Sequence, residues 1–275
     1  MTPAETAPAS AYDRPGGAGD PRCVPLTLEA EPAFGAAIAA PDYPAEDHAT
    51  WATLFARQTA ALPGVACEEF LRGLDLLGLP ADRVPALAAV SAGLERATGW
   101  RCARIPGLLH ERDFFGLLAR RIFPSTDYLR RPDELDYTPA PDCFHDIFGH
   151  CPLITLPAFA DFYREVGLAG AAAAARGAAG AADLRAVQRF YWYTVEFGLI
   201  ATPAGPRVYG NGILSSRRET EHCLTDTVDR RPFALAEVLA ADYDVWRLQD
   251  VLYVVDSFEG LRDAFAGWAA GRGLL

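Results

Sequence analysis

The sequence predicts a mainly helical domain that carries a small β-sheet. Three observations lead there. Apolar residues recur at helical spacing in one segment after another, and Pro or Gly closes several of these segments. Strand-like runs are short and few. With 275 residues, 51% of them hydrophobic, the chain can bury one sizeable core.

Residues 1–23 are rich in Ala, Pro, Gly and Asp and nearly lack large apolar groups, so they are read as a flexible N-terminal tail before a folded domain over 24–275. Asp47 to Leu62 has Trp51, Leu54, Phe55 and Leu62 at near-helical spacing and ends at Pro63-Gly64. Cys67 to Leu76 reads as a second helix, stopped by Gly78-Leu79-Pro80. Ala81 to Thr98 reads as a third, with Pro85 in its first turn and Gly99 after its end. Arg112 to Ile122, Asp161 to Val166, Leu184 to Gly198, Ala234 to Ala241 and Leu261 to Ala270 continue the helical pattern. Ala171 to Ala182 is low in complexity, either a glycine-weakened helix or a surface loop. The strand candidates are Arg207 to Tyr209 and Val251 to Val255.

A net charge of −11 argues against nucleic acid or an anionic membrane as partner. Every basic residue is Arg, so no lysine is available for a Schiff base or for pyridoxal phosphate. No apolar stretch is long and clean enough to span a bilayer, and Met1 to Asp20 lacks the pattern of a secretory signal. A cytoplasmic enzyme is expected. Six cysteines with no Cys-x-x-Cys pair read as reduced, buried thiols.

The chemistry concentrates in two blocks. Residues 141–151 read Pro-Asp-Cys-Phe-His-Asp-Ile-Phe-Gly-His-Cys and residues 191–198 read Tyr-Trp-Tyr-Thr-Val-Glu-Phe-Gly. His145, His150 and Glu196 stand there among apolar neighbours. Two imidazoles and one carboxylate on one face of a metal are the ligand set of mononuclear non-haem iron(II), with the other face open to oxygen and substrate. The five-residue spacing of the histidines is about 140° on an α-helix, so they would not share a face there. Pro141-Asp142 places a helix start near His145, with the first histidine on an irregular turn and His150 on the helix proper. On the second segment Trp192 and Glu196, at i and i+4, share a face. The competing reading is two hydrogen-bonded core histidines and a salt-bridged Glu, and the residues alone leave both open. Among metals, zinc held with Cys143 and Cys151 fits poorly, because structural zinc usually joins two distant loops. Iron(II) fits best.

These blocks, together with Tyr-Thr-Pro-Ala-Pro-Asp at 137–142 and Tyr-Gly-Asn-Gly-Ile-Leu-Ser-Ser at 209–216, resemble the pterin-dependent aromatic amino acid hydroxylases, most of all the short bacterial phenylalanine 4-hydroxylases. The similarity runs from about Trp100 to Phe265. It implies a single hydroxylase-type catalytic domain over 24–275 that uses Fe(2+) and tetrahydrobiopterin or a related tetrahydropterin. It implies that His145, His150 and Glu196 hold the iron and that Arg130 pairs with the substrate carboxylate. Thr138 and Ser215 match positions at the amino acid end of the substrate, against ordinary turn capping as the alternative. Trp192 and Phe197 match the wall around the substrate ring. Phe114 is expected to stack on the pterin, with Gly107, Leu109 and Glu111 supplying loop contacts and Tyr191 packing nearby. Asp146 stands where many members have Glu, in a role toward the pterin or an iron-bound water, and it is shorter by about 1.5 Å.

The resemblance also carries a substrate preference. Tryptophan hydroxylases have Phe where this chain has Trp192, and tyrosine hydroxylases have Asp where it has Val245. Both differences favour L-phenylalanine and O2 as substrates and L-tyrosine as product, as preference rather than exclusion. Attack at the 3-position, or on tryptophan, are the near alternatives. A zinc hydrolase and a non-catalytic metal- or pterin-binding protein are the distant ones. No N-terminal regulatory domain and no C-terminal tetramerisation helix are evident, so a monomer is expected.

Overall fold

The computed structural model describes residues 20–39, 41–136, 138 and 140–275. Most of the expected tail, 1–19, lies outside them. Residues 20–23, also assigned to the tail, instead form a 3-10 turn at Pro21–Cys23 that Asp20 caps. Cys23 is buried, and Arg22 pairs with Glu134 at 2.6 Å. A long-range ion pair and one buried thiol tie down a segment whose composition promised nothing.

Helices dominate in the order α1 (Ala45–Ala61), α2 (Glu68–Leu77), α3 (Leu87–Thr98), α4 (Glu111–Ala119), α5 (Cys151–Ile154), α6 (Pro157–Ala175), α7 (Ala181–Tyr191), α8 (Asn211–Leu214), α9 (Arg217–His222), α10 (Leu235–Ala240) and α11 (Phe258–Gly271). The expected third helix starts late, after Pro85, with Ala86 as its cap. The Ala-rich stretch is helical to Ala175 and then breaks at Gly177, whose φ is 56°. The expected Arg112–Ile122 helix stops at Ala119, and Arg121, at φ 58°, turns the chain into a strand.

Two parallel strands, β1 (Arg101–Ile105) and β2 (Ile122–Thr126), pair from Arg101↔Ile122 to Ile105↔Thr126, with α4 crossing between them. A second sheet has the order β4-β3-β6-β5, from β3 (Leu199–Ile200), β4 (Arg207–Val208), β5 (Asp229–Pro232) and β6 (Val251–Val255). The expected strand over Val251 to Val255 is β6. No described helix is long and apolar enough to cross a membrane.

Two places bind the core to the histidine segment. Phe144 and Phe148 stack at 4.8 Å, and Trp51, Phe55 and Phe70 pack edge-on around them. That cluster fixes which way the histidines turn. Gly73 on α2 lets α5 approach so closely that a Cβ would meet the Pro152 carbonyl at 2.0 Å.

Candidate metal centre and its cavity

The histidine segment does not start as an irregular turn. His145–His150 is a π-helix that continues into α5. Its hydrogen bonds close i to i+5, so residues five apart come onto one side. The spacing that disfavoured a shared face on an α-helix creates one here. Glu196 also sits in a π-helix, Trp192–Glu196, which ends α7. The expectation of a plain i,i+4 face is corrected accordingly, although Trp192 and Glu196 still line one cavity.

The three side chains converge. His145 Nε2 and His150 Nε2 lie 2.9 Å apart. Glu196 Oε1 is 3.3 Å from His150 Nε2, and Oε2 is 3.7 Å from His145 Nε2. Two nitrogens each about 2.1 Å from one ion, set at right angles, would stand about 3 Å apart, so one metal can bridge this set. These residues form the one described group of three or more His, Cys, Asp and Glu that could hold an ion; Cys143 and Cys151 are buried free thiols outside it.

Protonation favours ligation. Burial lowers the pKa of His145 to about 4, so its imidazole is neutral at pH 7. Burial alone would raise Glu196, but the two histidines and hydrogen bonds from His150 and Tyr191 outweigh it, and its pKa falls. A neutral imidazole and an ionised carboxylate are what a metal requires. His145 Nδ1 lies 2.8 Å from Ser215 Oγ, whose hydroxyl donates to the Asn211 carbonyl. Nδ1 therefore carries the proton, and the Nε2 lone pair is free for an ion. Ser215, expected at the amino acid end of the substrate, lines the cavity, and its hydroxyl meets His145.

Asp142 prepares the same segment. Its carboxylate accepts from His145 N at 3.0 Å and from Arg130 at N, Nε and Nη2, at 2.7–2.9 Å. Both partners are buried, and the pair occupies the Nε edge of Arg130. Among the described residues, Arg130 Nη1 has no hydrogen-bond partner, and Arg130 lines the cavity. Thr138 lines it too, but its hydroxyl donates to the Ala140 carbonyl at 2.8 Å, the turn-capping alternative.

The cavity measures about 630 Å³, within the range of small-molecule sites. The ends of β1 and β2 open onto it, as ligand sites of parallel strands commonly do. Gly107, Leu109, Glu111 and Phe114 line it from the β1–α4 side. Leu26 pins that loop by accepting from His110 N and donating to the Leu108 carbonyl. Tyr191 meets Phe114 edge-on at 5.4 Å. Asp146 lines the same space and accepts from Thr126 N at 2.6 Å and Thr126 Oγ1 at 2.9 Å; burial raises its pKa to about 7 against those hydrogen bonds.

Trp192 and Phe197 form one wall, 4.6 Å apart, and Tyr243 stacks on Trp192 at 4.5 Å. Sequence reasoning missed Tyr243, Gln188 and Gln249. Gln188 donates to Glu111 at 2.6 Å. Gln249 accepts from Trp192 Nε1 at 3.0 Å and donates to the carbonyls of Asp244 and Arg247, which holds the 241–250 loop against the wall. No periodicity marks such a loop. Gly198 closes the second π-helix, where a Cβ would meet the Tyr209 ring at 2.1 Å and the Thr194 carbonyl at 2.4 Å. Gly198→Ala is expected to cost about 1–3 kcal/mol by overpacking and to reduce bound metal. Thermal unfolding and metal content check this; parental values in both would contradict it.

Comparison with known proteins agrees with the geometry. The family described as biopterin-dependent aromatic amino acid hydroxylase matches residues 27–271. A phenylalanine-4-hydroxylase of Chromobacterium violaceum is 49% identical over 225 residues, covering 82% of this chain and 74% of that protein. One from Ralstonia nicotianae is 48% identical over 223 residues, covering 81% and 70%. The iron- and phenylalanine-bound crystal structure of the Chromobacterium violaceum enzyme superposes with a TM-score of 0.76 at 46% identity, over 83% of each chain. Its structure with iron(III) and 7,8-dihydrobiopterin gives 0.78 at 46% identity, over 84% of this chain and 83% of that one.

Proposed function

We propose that this chain, which belongs to the biopterin-dependent aromatic amino acid hydroxylase family, is an iron(II)- and tetrahydropterin-dependent monooxygenase that hydroxylates L-phenylalanine to L-tyrosine with O2. One observation carries the reading: His145, His150 and Glu196 converge in the lining of a cavity large enough for small aromatic molecules. When bound, the iron and the reduced pterin supply the activation of oxygen.

The protein's own residues bind, orient and exclude water. His145, His150 and Glu196 hold the metal on one face. Arg130, set by Asp142, offers its Nη1 side to the carboxylate of the amino acid, and Thr138 stands beside that end. Trp192 and Phe197 hold the aromatic ring over the metal. Phe114, Gly107, Leu109, Glu111 and Tyr191 receive the pterin, and Asp146 faces the same space. Val245 lines the cavity without a group to bond a phenol hydroxyl, and Trp192 narrows it against an indole. The chain acts as a monomer in the cytoplasm.

The test is purified protein with iron(II), a tetrahydropterin and phenylalanine, followed by determination of the ring position in the product. Tyrosine formed only with oxygen and pterin present supports the reading. A hydrolytic activity indifferent to oxygen, or binding without oxygen uptake, would replace it with a zinc hydrolase or a non-catalytic binder.

A further inference from the structure

Resting on the hydroxylase reading above, one side chain behind the ring pocket carries an inference about which ring fits. Gln249 is 6% exposed and stands outside the residues that line the cavity. Its Oε1 accepts from Trp192 Nε1 at 3.0 Å, and its Nε2 donates to the carbonyls of Asp244 at 3.0 Å and Arg247 at 2.7 Å. The orientation of the amide is forced. An indole N–H can only donate and a backbone carbonyl can only accept, so turning the amide over would set donor against donor once and acceptor against acceptor twice. Both amide protons and the amide oxygen are thus engaged, in a place where an unmet bond is costly.

The three bonds join two parts of the pocket that lie far apart in the chain. Trp192 belongs to the second π-helix and lines the cavity. The carbonyls of Asp244 and Arg247 stand on either side of Val245 and Trp246, which line it too. Tyr243 lies flat on the Trp192 ring, 4.5 Å away at 12°, and Phe197 meets that ring at 4.6 Å. Stacking of this kind lets an indole slide in its own plane, and the bond at Nε1 stops the slide. The start of the 241–250 loop has its own ties. The Asp242 carbonyl accepts from the Tyr193 hydroxyl and its carboxylate from Arg189, each at 2.6 Å. Gln249 ties the stretch beyond, where Val245 stands. An apolar side chain at 249 would fill the space and fix neither part.

We propose that Gln249 is a specificity-determining positioning residue: by holding Trp192 and the 244–247 turn with one amide, it fixes the room left for the substrate's ring and so favours the single ring of phenylalanine over the bicyclic ring of tryptophan. It acts through the residues it holds and lies outside the substrate's contacts. One methylene more or less in an apolar pocket is worth roughly ten- to two-hundredfold in kcat/KM, and such discrimination by size lasts only while the walls do not yield.

Gln249→Met keeps the length of the side chain and removes all three bonds. The iron-loaded full chain, parent and variant, is assayed with a tetrahydropterin for kcat/KM on phenylalanine and on tryptophan, and thermal unfolding shows that each is folded. The expected result is a fall of about tenfold in the ratio of phenylalanine to tryptophan. The ratio decides, because partial unfolding or lost metal lowers both values by one factor and leaves it unchanged. Gln249→Leu removes the same bonds and carries the test should Gln249→Met not fold. A folded, active variant whose ratio stays parental, or that like the parent leaves tryptophan untouched, overturns the inference and leaves the hydroxylase reading intact. A parent that hydroxylates neither amino acid overturns both.

Discussion

Replacing Glu196 with alanine yields a folded protein that retains no iron and forms no tyrosine. Removing an outer partner of a metal ligand typically costs ten- to a hundredfold in affinity or activity, so loss of the ligand itself should exceed about a hundredfold. Glu196 is also the one carboxylate of the set, and its charge compensates a divalent ion that two neutral imidazoles cannot. The side chain is mostly buried, 12% exposed, so water cannot fully restore the missing oxygen donor. Metal content after desalting, and product formation with iron in excess, measure the two losses. A variant with parental iron and turnover would refute the ligand assignment.

Asp142→Asn should be the most destabilising single change near the site. It keeps the shape and removes the charge that faces Arg130 across 2.7 Å and 2.8 Å. Asp142 is fully buried and Arg130 is 4% exposed, so the guanidinium is left buried and uncompensated. Breaking a buried pair from one side costs about 3–5 kcal/mol. For a domain of this size that lowers the unfolding temperature by roughly 10 °C. The substrate end should suffer too, because the Nε edge of Arg130 would no longer be fixed. Thermal unfolding and the KM for phenylalanine report the two effects, and parental values for both would show that the pair is not what sets Arg130.

Much of the site was readable in residue order. His145, His150 and Glu196 stand out because ionisable groups amid Phe, Ile, Val and Cys need a reason to be there. How the histidines share a face was not readable. A five-residue spacing looks wrong on an α-helix, and no composition signal announces a π-helix; the aromatic stack of Phe144 and Phe148 behind it is what fixes its rotation. The first sheet was hidden for a related reason. β1 carries Arg101 and Arg104, and β2 contains Pro124, Ser125 and Thr126, so neither resembles an apolar strand, yet their backbones pair in parallel around α4. Hydroxyl roles were the least legible. Ser215 and Thr138 could face substrate or backbone, and only the folded chain shows that Ser215 receives His145 and that Thr138 caps Ala140. Val251 to Val255 was the reverse case, a run of β-branched and aromatic residues that became β6 at the expected positions.

X-ray absorption at the iron edge of the loaded chain examines the coordination itself. One iron per chain, with scattering from two imidazoles and otherwise oxygen donors, is the predicted result. Sulfur in the coordination sphere, or a signal without imidazole, would contradict it.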